Sequence, residues 1–234
     1  MTADGNSHLS LKGGTHNPWS PPFDFLKKSF LPTLGRMGFN VSVDLKRPGF
    51  YPAGGGEFTV NIVPTQKYSS LELLERGEII SRKARAILAK LSNHIGHREL
   101  DMLERKLGWS RKLLSIERMD DSAGPGNVVI LEIESEHITE VITAFGELSV
   151  QAETVAERAV AEFRNYIACG APVGEHLADQ LLIPIAIAGG CFRTLMPSKH
   201  TTTNIEVIKK FLDVEIDLRQ ISDQPRMYQI EVKK

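Results

Sequence analysis

The sequence has no hydrophobic run long enough to cross a membrane as a helix. Its longest apolar run, Leu181–Ala188, is about half of the roughly 18 residues that a span needs, and Pro184 interrupts it. The N-terminal stretch, residues 1–12, is polar and carries no apolar core of a secretory signal. These absences argue against membrane and secreted proteins and predict a cytoplasmic protein.

Cysteine and excess charge of one sign are also scarce. The 234 residues include 2 Cys, the well-separated Cys169 and Cys191, which give neither a disulfide framework nor a zinc cluster. With 28 Lys+Arg against 29 Asp+Glu, the net charge is −1, so the chain has no bulk attraction to nucleic acid. Any RNA or DNA binding must therefore come from a local site.

Hydrophobic periodicity predicts a mixed α/β protein at both ends of the chain. Residues 1–12 lack periodicity and are interpreted as a tail, whereas 22–37 has helical spacing with Pro32 as a bend. Alternating residues predict two strands near 39–45 and 58–62. Further along, the pattern predicts helices at Val155–Ile167, Val173–Ala188 and Asn204–Leu212, a strand at Phe192–Met196, and a hairpin of Val214–Leu218 with Met227–Val232.

Residues 67–146, in the middle of the chain, differ from the flanking segments in their pattern of charged and apolar residues. They are interpreted as a small inserted α/β domain. Its charged segments predict three helices, at Ile79–Leu91, Glu99–Leu107 and Glu136–Phe145, and two strands, at Leu113–Arg118 and Val128–Ile133. Residues 13–66 and 147–234 then form one discontinuous domain around it. Helices and short strands with mixed connections suggest a sheet covered on one face.

One candidate site lies in the segment PSKHTTTNIEVIKKFL, residues 197–212. Thr203 and Glu206 have the spacing of a capping box, so the pattern predicts His200 in the loop before a helix. Phosphate binds readily at a helix N-terminus, a neutral imidazole can attack phosphorus, and Lys199 can offset negative charge. The alternative, a loop histidine beside an exposed lysine, has the same spacing and stays open.

A second candidate lies in GAPVGEHLADQLL, residues 170–182. On a helix, His176, Asp179 and Gln180 stand at i, i+3 and i+4 and share one face. Such a polar trio suits a ligand with hydrogen-bonding edges, such as a nucleotide. A solvent-facing helix start explains the same pattern.

The glycine-rich segments GGTHNPWSPPFD (13–24) and PAGGGE (52–57) let backbone N–H groups approach an anion, but turns explain them equally well. Neither segment matches a phosphate-loop or dinucleotide fingerprint. His94 and His97 are spaced HxxH without an acidic or Cys partner in register, which favours a solvated helix face and no metal site.

Taken in order, four blocks resemble the RNA 3′-terminal phosphate cyclase family. They are GGTHNPWSPPFDFL, RPGFYPAGGGEF, GAPVGEHLADQLLIPIAIAGG and PSKHTTTNIEVIKKFL, and with their connections they cover most of the chain outside 67–146. The resemblance implies repeated units of two helices on a four-stranded sheet, with a smaller inserted domain. The sequence is similar to about the C-terminal two-thirds of the family.

The resemblance also implies a chemistry. His200 matches the histidine that attacks the α-phosphate of ATP to form a covalent histidine–AMP. The AMP passes to an RNA 3′-phosphate, and the 2′-hydroxyl then displaces it to give a 2′,3′-cyclic phosphate. The segment His176, Leu177, Ala178, Asp179 and Gln180 matches nucleotide-contacting positions, and a divalent cation, usually Mg²⁺, accompanies the ATP.

One departure shapes the remaining expectations. Family members begin with a unit that carries an EGGGQ-like segment and an arginine-rich stretch, which residues 1–12 do not resemble. We therefore expect an exposed apolar patch and self-association, or a need for a missing N-terminal unit. The alternatives are a non-catalytic cyclase-like protein that binds RNA or ribosome precursors, and an inactive truncated copy. The enolpyruvate transferases share a related fold, but they lack the LADQ and PSxH segments.

Overall fold

A computed structural model describes residues 3–233 as three β-sheets with helices packed against them. The first sheet has the order β1–β3–β2, formed by β1 (Ser7–Gly13), β2 (Asn40–Arg47) and β3 (Gly56–Val63). Leu9 of β1 and Val43 of β2 both lie opposite Val60 of β3, so the apolar side chains share one face. Residues 7–12 thus belong to a strand, although the sequence predicted a tail over 1–12, because β3 supplies the hydrogen-bonding partner that local periodicity cannot reveal.

The predicted helix over 22–37 is present in three consecutive pieces. They are α1 (Phe23–Phe25), a π-helical stretch at Leu26–Phe30 and α2 (Leu31–Arg36). Pro32 was expected to bend a continuous helix, and it follows directly on the π-helical stretch, near the start of α2. A widened turn accommodates the proline because it removes the need for the missing N–H donor.

The second sheet has the order β6–β5–β7–β8. Its strands are β5 (Ile79–Ala89), β6 (Leu114–Arg118), β7 (Gly126–Ser135) and β8 (Thr139–Phe145). Two helices pack against it, α3 (Asn93–Leu107) and α4 (Ala152–Cys169), and a short 3-10 turn at Arg111–Leu113 precedes β6. The strands predicted at Leu113–Arg118 and Val128–Ile133 and the helix at Glu99–Leu107 are confirmed.

Two predicted helices are strands instead. The charges of Ile79–Leu91 predict a helix, but this segment forms β5. On it, the side chains of Lys83, Arg85 and Ile87 point to one face of the sheet, and those of buried Ala84 and Ala86 point to the other. The segment Glu136–Phe145 forms β8, where Thr139, Val141, Ile142 and Thr143 are β-branched and favour a strand. In both segments cross-strand pairing with β7 outweighs the helical spacing.

The third sheet has the order β10–β11–β9–β4. Its strands are β4 (Leu71–Leu73), β9 (Gly190–Thr194), β10 (Glu215–Asp223) and β11 (Arg226–Lys233), and its helices are α5 (Glu175–Ala188) and α6 (Lys199–Phe211). The predicted C-terminal hairpin is confirmed as β10 and β11. Two four-stranded sheets, each with two helices, confirm the α/β fold class predicted from the sequence.

The boundaries of an inserted domain at 67–146 stay a prediction. Leu71–Leu73, inside that range, pairs in parallel with β9. Helix α4, outside it, packs against α3 and the β7–β8 pair. One apolar core lies between α1–α2, α5, α6 and the sheets, and a second lies beneath α3 and α4. Between residues 3 and 233, none of the helices has the length and apolarity to cross a membrane.

Candidate functional site

Helix α5 presents the predicted polar trio outward. Its N-cap is Gly174, and Leu177 and Leu181 are fully buried, which fixes the orientation of the helix. On the opposite side, His176 and Gln180 are exposed and Asp179 is half-buried. The prediction that these three side chains share one helix face is therefore confirmed.

Two neighbouring residues in the predicted nucleotide segment point the other way. The side chains of Leu177 and Ala178 are fully buried in the main core. Helical periodicity requires this, because residues one position apart on a helix cannot share a face. Within 176–180, only His176, Asp179 and Gln180 therefore have side chains that face outward.

His200 lies inside a helix and not in the loop that the sequence predicted. The N-cap of α6 is Ser198, whose Oγ accepts a hydrogen bond from the Thr201 N–H at 3.2 Å. The helix therefore starts one turn before the expected Thr203–Glu206 capping box. Lys199 and His200 occupy the first turn and are exposed, whereas Thr201 is fully buried and anchors the turn.

The two candidate segments are joined by a side-chain hydrogen bond. Asn204, one turn after His200 on α6, donates from Nδ2 to Oδ1 of Asp179 on α5 at 3.1 Å. Helices α5 and α6 pack against each other, so the imidazole and the polar trio belong to one surface. An exposed imidazole beside the free N–H groups of a helix start can act as a nucleophile towards a bound phosphate.

A buried carboxyl group holds the N-terminus of α5. Glu140 of β8 is 4% exposed, and its Oε2 accepts a hydrogen bond from the Gly174 N–H at 2.9 Å. A Cβ atom at Gly174 would lie 2.7 Å from the Glu140 carboxyl carbon, so a larger residue there would displace this carboxyl group. Burial raises the pKa of Glu140 to about 8, although the Gly174 hydrogen bond favours the ionised form.

The connection into α5 is fixed from α4 as well. Tyr166 is buried and donates its hydroxyl hydrogen to the Pro172 carbonyl at 3.0 Å. The Arg76 guanidinium lies 5.5 Å from the centroid of the Tyr166 ring, which is a cation–π distance. Sequence analysis missed both Glu140 and Tyr166, because their partners lie far away along the chain.

The glycine-rich segments approach each other through the backbone. A Cβ at Gly49 would lie 2.3 Å from Gly56 N and 2.7 Å from Gly13 O, so bare backbone is required there. The Thr15 and His16 N–H groups both donate to Gly49 O, at 2.8 and 3.0 Å. Close backbone packing therefore accounts for glycine at Gly49 and at Gly56, where an added Cβ would lie 2.7 Å from Gly49 N, but not at Gly13, where a Cβ would meet no atom within 4 Å.

Below these loops lies a buried ionic cluster that the sequence did not indicate. His16 is fully buried and its Nε2 is 3.3 Å from Asp24 Oδ2, while Arg85 contacts Asp24, Glu117 and Glu132. Burial alone would raise the pKa of Asp24, but the His16 hydrogen bond and the Arg85 charge lower it to about 2. The alternation of Lys83 and Arg85 on β5 is the signal that could have revealed this cluster.

The described residues offer no ready-made metal cage. Within residues 3–233, no group of three or more His, Cys, Asp or Glu side chains is arranged to hold a metal ion. His94 and His97 are exposed on α3.

Comparison with known proteins decides the family. A family model described as RNA 3′-terminal phosphate cyclase matches residues 1–218. The chain belongs to the RNA 3′-terminal phosphate cyclase family. Named RNA 3′-terminal phosphate cyclases from Koribacter versatilis and Pseudomonas fluorescens are each 45% identical to it, over 94% and 96% of this chain. The cyclase of Salmonella agona is 41% identical over 99% of the chain.

The similarity covers part of each relative. The matched regions span 62% of the Koribacter versatilis cyclase and 66% of the Pseudomonas fluorescens cyclase. Both blocks of the candidate site, 170–182 and 197–212, lie within the residues that the cyclase family model matches. The cyclase family resemblance that the sequence motifs indicated is confirmed.

Proposed function

We propose that this protein converts an RNA 3′-phosphate to a 2′,3′-cyclic phosphate at the expense of ATP. The observation that carries the proposal is the Asn204–Asp179 hydrogen bond, which ties the helix of His200 to the helix of the polar trio. A nucleophile and a nucleotide-contacting face then share one surface. Membership of the cyclase family supplies the substrate class.

The proposed reaction proceeds in three displacements. A neutral ring nitrogen of His200 attacks the α-phosphorus of ATP, the bond to the β-phosphate oxygen breaks, and pyrophosphate leaves. An oxygen of the RNA 3′-phosphate then attacks the same phosphorus and releases His200. Finally the 2′-hydroxyl oxygen attacks the 3′-phosphorus, loses its proton and expels AMP. Activation in this way replaces a poor leaving group by a good one.

The local structure suits each displacement. His200 is exposed in the first turn of α6, where unpaired N–H groups and the helix dipole stabilise negative charge on phosphoryl oxygens. The neighbouring Lys199 is also exposed and adds a positive charge. We assign contacts with the nucleotide to His176, Asp179 and Gln180. Mg²⁺ bound to the ATP phosphates would neutralise charge there.

The test is a cyclisation assay on the purified chain. A 5′-labelled RNA with a 3′-phosphate is incubated with ATP and Mg²⁺, and the 3′ end is examined for resistance to phosphatase. We expect an ATP-dependent phosphatase-resistant product that His200→Ala does not form. The matched control is Lys210→Ala, at an exposed position near the opposite end of α6.

The outcome separates the proposal from the non-catalytic alternative. Cyclic product from the His200→Ala variant would show that His200 is not the nucleophile. RNA binding without any product, from a folded wild-type chain, would instead favour a cyclase-like protein that binds RNA. The proposed site in the cell is the cytoplasm, where both ATP and RNA substrates are present.

A further inference from the structure

A large cleft opens apart from the candidate site. Its volume is about 1140 Å³, and its lining comes from residues 16–155, apart from α5 and α6. Apolar side chains dominate the walls, among them Pro18, Leu91, Ile95 and Leu148. Leu148 is 97% exposed, so this apolar surface faces solvent.

Two exposed aromatic rings stand at this cleft. Trp19 is 71% exposed and Tyr51 is 55% exposed, and their ring centroids are 4.4 Å apart in an edge-to-face arrangement. Trp19 comes from the glycine-rich segment 13–24 and Tyr51 directly precedes the segment 52–57, and the two are separated in sequence but adjacent in the fold. Burying two large aromatic side chains would release considerable free energy, so their exposure indicates a surface that binds something.

The aromatic pair is held rigidly from below. The Tyr51 N–H donates to His16 O at 3.1 Å, and the His16 N–H donates to Gly49 O at 3.0 Å. The His16 ring also stacks on Phe50, with centroids 4.8 Å apart. A preorganised aromatic surface loses little conformational entropy when a flat ligand stacks on it.

Positive charge accompanies the rings. Arg47 is exposed and its Nε donates to Gly55 O at 2.7 Å, on the loop that follows Tyr51. Exposed Lys90 donates to Ala123 O at 3.3 Å, and Ala123 lies against Gly55. Arg47, at the end of β2, and Lys90 therefore lie next to segments that line the cleft, whose own lining includes Arg98 and Glu147.

We propose that this cleft binds single-stranded RNA, with bases stacking on Trp19 and Tyr51 and the phosphates near Arg47 and Lys90. Stacking on aromatic side chains combined with basic residues is the usual way in which proteins hold unpaired nucleotides. The proposal rests on the proposed function only in taking RNA as the substrate. The cleft would hold nucleotides upstream of the 3′ end that reacts with AMP.

The test measures RNA affinity by fluorescence anisotropy of a 5′-labelled single-stranded oligoribonucleotide on the full chain. Trp19→Ala and Tyr51→Ala should each weaken binding by about 5-fold or more, as loss of a stacked base does. Trp19→Phe and Tyr51→Phe should retain most of the affinity, because a ring remains. Phe211→Ala, which removes an 81% exposed ring on α6, is the matched control and should bind like wild type.

Two further measurements assign the effect to stacking. The same RNA with abasic positions should bind the wild type more weakly, and a Trp19→Ala, Tyr51→Ala double variant should bind the abasic and the unmodified RNA equally well. RNA should quench the fluorescence of Trp19. In the Trp19→Phe variant the remaining emission comes from Trp109, which is 5% exposed, and this emission is the background to subtract. Thermal unfolding of each variant checks that it is folded.

Several results would overturn the proposal. One is an RNA affinity of folded Trp19→Ala and Tyr51→Ala within about twofold of the wild-type affinity. This result would favour a protein partner as the occupant of the cleft. Equal quenching of Trp19 by ATP alone would identify a mononucleotide site. If cyclisation proceeds normally while the aromatic variants bind RNA like wild type, only the cleft proposal fails. If the wild type neither binds nor cyclises RNA, both proposals fail.

Discussion

The first turn of α6 places His200 where an imidazole and a phosphate can meet. The neighbouring N–H groups have no partner within the helix, and Ser198 satisfies one of them by capping Thr201. Sequence reasoning identified the histidine but put the helix start one turn too late. The hydrogen bond that Ser198 Oγ accepts from the Thr201 N–H identifies Ser198 as the cap, whereas Thr203 lies exposed inside the helix.

Asp179→Ala and Gln180→Ala are expected to raise the KM for ATP, each by roughly 5- to 10-fold, as loss of one polar contact does. His200 is unchanged in both variants, so kcat at saturating ATP should fall less. Steady-state cyclisation at varied ATP measures both constants. Glu206→Ala, at an exposed position of α6, serves as the control. Unaltered ATP dependence in both variants would refute the nucleotide-contact assignment.

Asp24 gives the fold an acid-sensitive contact. Its folded pKa of about 2 lies below the ordinary 3.8, so its stabilising effect is present above about pH 4 and is lost as the pH falls towards 2. The shift corresponds to about 2 kcal/mol. Urea unfolding of wild type and Asp24→Asn at pH 7 and pH 3 should show a smaller pH effect in the variant. Equal pH effects would contradict this ionic role.

Among the elements, the strands β5 and β8 show what local sequence cannot reveal. Ile79–Leu91 contains charges at several positions, which suits an exposed helix, yet Arg85 faces Asp24 and Glu132 in the folded chain. The burial of Ala84–Ala89 depends on α3 and α4 on one side and the main core on the other. Helices α3 to α6, by contrast, were predictable because each has its own apolar stripe, although the predicted starts of α3 and α6 were too late.

Glu140 links β8 to α5 and is expected to make the stability of the protein fall as the pH rises. Its folded pKa of about 8 exceeds the ordinary 4.5, so its contribution is present below pH 4.5 and is lost as the pH rises through 8. Glu140→Gln keeps an oxygen that can accept the Gly174 hydrogen bond but cannot ionise. Thermal unfolding from pH 5 to 9 should therefore decline less steeply in the variant.

Glu99 provides the comparison for that measurement. It is also fully buried, and burial raises its pKa to about 7 while Asn127 donates to Oε2 at 3.1 Å. Glu99→Gln should reduce the pH dependence of stability over a different pH range from Glu140→Gln. It should leave the KM for ATP unchanged, because in the described part of the chain no hydrogen bond joins Glu99 to α5. A Glu140→Gln profile identical to that of wild type would contradict the raised pKa.

For the molecule as a whole, the four motif blocks predicted the family, and hydrophobic periodicity predicted the α/β class. The long-range partners, Asn204 to Asp179 and Glu140 to Gly174, required the fold. Hydrogen-bonded pairs that are far apart in sequence leave no periodic pattern in a single sequence. The same limit explains why the sequence predicts a tail over residues 1–12, of which 7–12 belong to β1.

The first sheet supplies a surface for the self-association predicted from the sequence. Leu9 and Leu11 are each 42% exposed on β1, an edge strand whose outer side is not paired within residues 3–233. We expect light scattering to show concentration-dependent association of the wild-type chain, reduced in a Leu9→Thr, Leu11→Thr double variant. Val207→Thr, a similarly exposed apolar position on α6, is the control. A wild-type monomer at all concentrations would contradict this prediction.

The measurement that tests the central claim most directly is intact-protein mass spectrometry after incubation with ATP and Mg²⁺ but no RNA. We predict the addition of one adenylyl group, located at His200 by peptide mapping, acid-labile, stable to alkali and absent in His200→Ala. Addition of RNA with a 3′-phosphate should discharge it. An adduct that persists in the folded His200→Ala variant, or a folded wild-type chain that binds ATP without forming one, would contradict the account.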